Sequence, residues 1–82
     1  MIGIIAGSKN DADALKPCFE LLEKLRIPYE FTVLSAHRTP EETAAYAKEA
    51  RARGIQVLIA AAGLAAALPG VVAAHTELPV IG

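Results

Sequence analysis

Apolar residues fall into four short strand-like runs, separated by polar stretches with helical spacing. The first run, Ile2-Gly3-Ile4-Ile5-Ala6, is continuous, the pattern of a strand covered on both faces. Gly7-Ser8-Lys9-Asn10-Asp11 follows as a polar turn rich in helix-capping residues. Leu15, Cys18, Phe19, Leu22 and Leu25 then recur at helical spacing and predict an amphipathic helix. Pro17 lies inside it and removes a backbone donor, so a kink or a late start is expected, and Pro28 closes the segment. Residues 29–34 hold the β-favouring Tyr29, Phe31, Thr32 and Val33 and predict a second strand.

Thr39-Pro40-Glu41-Glu42 marks a helix start: Thr39 as N-cap, Pro40 at the first helical position, and Glu42 placed to complete a capping box. That helix is expected to run to Arg53, where Gly54 stops it. Its expected buried face is Ala44, Ala47 and Ala50, with Lys48, Glu49 and Arg51 toward water. Val57-Leu58-Ile59-Ala60-Ala61 reads as a third strand. A small-residue turn around Gly63 leads to a short helix, expected from Pro69 to about Ala74, and Pro79-Val80-Ile81 opens a fourth strand. Alternating strands and helices predict an α/β fold with a parallel sheet and right-handed crossovers, as one domain over residues 1–82.

In the flavodoxin-like strand order 2-1-3-4, a three-layer αβα arrangement, the first helix covers one face and the next two cover the other. One helix cannot shield four parallel strands, and such sheets need both faces covered. The expectation is a truncated version of that fold whose remaining apolar surface is covered by self-association or by further polypeptide.

Composition narrows the partners. Net charge is −1 with no basic stripe, so nucleic acid is not an expected partner. Apolar residues make up 54% of the chain but only four are aromatic, while seventeen are alanine, which predicts a thin core with close backbone approach. The uncharged stretch from Ile55 to Thr76 is broken by Gly63, Pro69 and Gly70, so a strand, turn and short helix are expected there rather than a membrane span. Met1 leads straight into a strand pattern without a signal segment, and the lone Cys18 sits on an apolar face. Both favour a cytoplasmic protein.

Ligands of open parallel sheets bind beyond the carboxyl ends of the strands. Three loops are expected there. In the first, Gly7 allows close backbone approach, Ser8 supplies a hydroxyl beside a helix N-terminus that favours phosphate, and Asp11 can accept from ribose hydroxyls. The same residues can equally make a plain capped turn. In the second, His37 is the residue type suited to proton transfer at carbon near neutral pH, Arg38 can fork onto a phosphate or carboxylate, and Ser35 can hydrogen-bond a ligand or orient the imidazole. A solvated loop pair is the alternative. In the third, Ala62-Gly63 can present backbone amides to a carboxylate or CO2, or simply permit tight packing. His75 is expected at the far end of the last helix, and its spacing from His37 suits no metal site.

Gly7-Ser8-Lys9-Asn10-Asp11, Ser35-Ala36-His37-Arg38-Thr39-Pro40, and Ala62-Gly63 through Leu68-Pro69-Gly70 together resemble the PurE family, the 5-(carboxyamino)imidazole ribonucleotide mutases. The resemblance covers the whole sequence and about the first half of a typical member. It implies a flavodoxin-like fold, a homo-oligomer (an octamer in the family), a small ribonucleotide substrate, and no metal or organic cofactor. It implies de novo purine biosynthesis: transfer of a carboxylate from the exocyclic nitrogen to C4 of the imidazole. By similarity His37 is the acid/base, Ser8 and Arg38 bind phosphate, Asp11 binds ribose, and Ser35 and the Gly63 turn meet the base and CO2. Two departures stand out. Asn10 occupies a usual serine position, and Ala67 stands where the family loop commonly carries histidine. Arg38-Thr39 resembles the mutase branch rather than the branch that carboxylates with free CO2, which reads Ser-Ala-His-Lys-Gly-Pro. A binding fragment without activity remains the alternative from a different class.

Overall fold

The computed structural model describes residues 1–9, 11–34, 40–61 and 67–81, with Ala67 described by its backbone alone. Among the described residues four strands alternate with three helices: β1 (Ile2–Ala6), α1 (Asp11–Lys24), β2 (Tyr29–Val33), α2 (Pro40–Glu49), β3 (Val57–Ala61), α3 (Ala67–Ala74) and β4 (Val80–Ile81). All strand pairs are parallel, and the order is β2-β1-β3-β4, the flavodoxin-like order expected. No helix among the described residues is long and apolar enough to cross a membrane.

Register sorts the side chains into two faces. Gly3 pairs with Glu30 and Leu58, and Ile5 with Thr32 and Ala60. Side chains alternate along a strand, so these residues share one face and Ile4, Phe31 and Ile59 share the other. The first face meets α2 and α3. Its core gathers Ile5, Leu58 and Ala60 from the sheet with Tyr46, Ala47, Ala50, Ile55, Leu68 and Val72. Gly3 is needed there: a Cβ on it would stand 2.9 Å from Leu58 Cδ2 and 3.1 Å from both Ile55 Cδ1 and Tyr46 Oη.

On the opposite face α1 lies over β1 and β2. Phe19 stacks on Tyr29 at 5.4 Å between ring centroids and meets Phe31 edge-on at 5.1 Å. Beyond α1 the cover ends. On β3, Leu58 and Ala60 are fully buried against the other helices, whereas Val57, Ile59 and Ala61 are only partly covered. On β4, Ile81 is 56% exposed. The face served by a single helix is therefore open over β3 and β4, as the strand order requires.

Several element ends differ from expectation. Helix α1 starts at Asp11 and runs unbroken past Pro17, so it does not begin late. Pro17 and Asp13 are both exposed, which leaves the carbonyl freed by the proline within reach of water. Its C-terminus is a Schellman turn: the Ile27 N–H donates to the Leu22 carbonyl at 2.9 Å and the Arg26 N–H to the Glu23 carbonyl at 3.1 Å. Arg26 takes the left-handed conformation there, with φ 57°.

Helix α2 ends at Glu49, and the last expected turn is a 3-10 turn at Arg51–Arg53 instead. A second Schellman pair closes it: Ile55 N–H to the Ala50 carbonyl and Gly54 N–H to the Arg51 carbonyl, both 3.1 Å, with Gly54 at φ 90°. The buried face of α2 is Thr43, Tyr46 and Ala47, continued by Ala50 just past its end, while Ala44 is only half-buried. The helix turns to seat Tyr46, whose hydroxyl donates to Glu30 Oε1 of β2 at 2.7 Å. Helix α3 begins at Ala67 rather than Pro69. Pro69 falls in the first turn, where no intrahelical donor is required.

Candidate functional site

Strands β1, β2 and β3 finish level. Ala6 pairs with Val33 on one side and Ala61 on the other, and both ladders are sealed one step further on. The Gly7 N–H donates to the Ala61 carbonyl at 3.0 Å, and the Leu34 N–H donates to the Ala6 carbonyl at 2.9 Å. The connections after these strands therefore leave from adjacent points on one edge. They include the residues that the sequence nominates for chemistry.

The first connection is described in detail. Its turn is closed by the Asp11 N–H donating to the Ser8 carbonyl and the Ala12 N–H donating to the Lys9 carbonyl, both 3.2 Å. The Ser8 hydroxyl donates to Asp11 Oδ2, also at 3.2 Å. Asp11 and Asp13 lie in the first turn of α1, where negative charge matches the helix dipole. Ser8 and Asp11 are thus one unit: the single hydroxyl hydrogen is directed at the carboxylate. To donate to a phosphate oxygen, Ser8 must rotate away from Asp11, which frees a carboxylate oxygen to accept from a sugar hydroxyl. Gly7 is partly buried at the strand end, and Lys9 points its charge to solvent.

Ser35, His37, Arg38, Ala62 and Gly63 lie outside the described residues, as do Asn10 and the proposed N-cap Thr39. What the structure fixes is where their segments begin. Residues 35–39 run from the end of β2 to Pro40 at the start of α2, and residues 62–66 run from the end of β3 to α3. His75 is elsewhere, as expected: it follows α3, where its N–H donates to the Val72 carbonyl at 3.1 Å. It lines an open groove of about 420 Å³ with Lys48, Arg51, Thr76 and Glu77, at the amino-terminal edge of the sheet.

One polar cluster escaped the sequence reading. Glu30 accepts from Tyr46 and also from Arg53 Nη2, at 2.7 Å and 2.6 Å to its two oxygens. The guanidinium carbon of Arg53 lies 5.3 Å from the centre of the Tyr46 ring. Burial, and then the hydrogen bond to Glu30, push the Tyr46 hydroxyl up to about 12. The available signal was the alternation of β2, which puts Glu30 and Thr32 on the face that packs against α2. This cluster joins α2 to β2 below the carboxyl edge and supports the edge without forming part of it.

A parallel sheet ordered β2-β1-β3-β4, with the chain leaving β1, β2 and β3 side by side at its carboxyl edge, defines an α/β protein of the doubly wound class. The family model described as AIR carboxylase matches residues 1–82. The chain belongs to that family, in agreement with the resemblance carried by its three loops. It is 54% identical over 82 residues to an N5-carboxyaminoimidazole ribonucleotide mutase of Pyrococcus horikoshii, covering all of this chain and 46% of that protein. Against a protein of the same name from Bacillus subtilis it is 54% identical over 82 residues, covering all of this chain and 51% of the other. A phosphoribosylaminoimidazole carboxylase of Schizosaccharomyces pombe is 51% identical over 82 residues, which cover all of this chain and 15% of that protein. The chain spans about half the length of the mutases it matches.

Proposed function

We propose that this chain carries the carboxyl-edge half-site of an N5-carboxyaminoimidazole ribonucleotide mutase of de novo purine biosynthesis. The reading rests on identity of 54% along the whole chain to proteins bearing that name. The level strand ends support it, because they start all three site loops side by side. In the reaction the bond between the exocyclic nitrogen and the carboxyl carbon breaks, and a carbon–carbon bond forms at C4. The nitrogen gains a proton and C4 loses one, so the change is an isomerisation without oxidant or reductant. His37 takes the C4 proton and returns a proton to the departing nitrogen. Arg38 and the redirected Ser8 hydroxyl hold the phosphate, and Asp11 accepts from the ribose. Ser35 and the amides of Ala62 and Gly63 face the base and the carboxyl group in transit. Residues 1–82 act as one domain, in a cytoplasmic setting consistent with the lone, half-buried Cys18.

Self-association belongs to the same reading. Val57, Ile59, Ala61 and Ile81 leave an apolar strip beside α1 that requires cover. Static light scattering on the purified chain should give a dimer or larger species, and a monodisperse monomer would remove this part.

The test incubates the purified chain with 4-carboxy-5-aminoimidazole ribonucleotide and follows interconversion with the N-carboxy isomer, with and without bicarbonate. Turnover independent of bicarbonate and abolished in a folded His37→Ala variant is expected. An unchanged rate in that variant would take His37 out of the mechanism. Rates that depend on bicarbonate would replace the mutase with a carboxylase using free CO2. Substrate binding without turnover would make the chain a nucleotide-phosphate binding module.

A further inference from the structure

We draw no further inference here: the strongest candidate outside the reading above, the open groove at the amino-terminal edge of the sheet between Lys48, Arg51 and His75, carries nothing, because Arg51 is already matched by Glu77, the carbonyl ends of α2 and α3 account for cations at that edge, and no observation there points to a ligand.

Discussion

Tyr46 shows how much one side chain organises in a chain so rich in alanine. Its ring is nearly buried and its hydroxyl is spent on Glu30, so ionisation would place a charge beside a carboxylate in a poorly hydrated position. The folded value near 12 lies above the usual value of 10. Stability from this hydroxyl is therefore complete below pH 10 and is lost as pH rises from 10 toward 12. Tyr46→Phe should cost about 1 kcal/mol at neutral pH, less than a fully charged hydrogen bond, because Glu30 keeps Arg53. Urea titrations of both proteins from pH 8 to 11 should converge as the pH rises; a gap that stays constant would show that the hydroxyl does not titrate this way. Arg26 offers the opposite case. A non-glycine residue with φ 57° bears a steric penalty, so Arg26→Gly should raise stability by roughly 0.5 kcal/mol despite the looser unfolded chain, read as an increase in Tm. Arg38→Ala should weaken substrate binding by at least about 1.5 kcal/mol, the scale of a charge-assisted hydrogen bond. Calorimetric titration giving equal affinities would free Arg38 of the phosphate.

At the scale of elements, the sheet is unforgiving on the face that carries α2 and α3. Gly3→Ala would thrust a methyl group against Leu58, Ile55 and Tyr46, of which Leu58 and Ile55 are buried almost completely. A loss of about 1–3 kcal/mol is expected, measured by denaturant midpoint, because packed neighbours can yield only by leaving their rotamers. All four strands were legible, from the continuous apolar runs of β1 and β3, the β-favouring residues of β2 and the apolar pair after Pro79, and their order followed from the flavodoxin-like pattern. The end of α1 and the orientation of α2 were not. A left-handed Arg26 carries no glycine to announce it, and Thr43 and Tyr46 look polar until Glu30 is seen across from Tyr46. The Gly7–Asp11 turn was legible as two alternatives, and the structure adds a third partner for the hydroxyl that a phosphate would claim, the Asp11 carboxylate. The roles proposed for His37 and Arg38 rest on residue type, on the family resemblance and on the strand end their segment follows.

For the whole molecule, the amino-terminal edge is braced while the carboxyl edge is given to loops. The 3-10 turn after α2 sends Arg53 to Glu30 on one edge strand and Arg51 to Glu77 just before the other. Only the first pair should matter measurably, since the Arg51 and Glu77 side chains are 74% and 90% exposed. The sheet's centre has another consequence. Strand β1 lies at the start of the chain, yet its second neighbour is β3, with Met1 hydrogen-bonded to Gln56 across 55 positions. On the ribosome, β1 must wait for more than fifty further residues before its ladder with β3 can close. Parallel pairing so distant makes folding slow, and until it forms the apolar segment Ile2-Gly3-Ile4-Ile5-Ala6 stays open to aggregation.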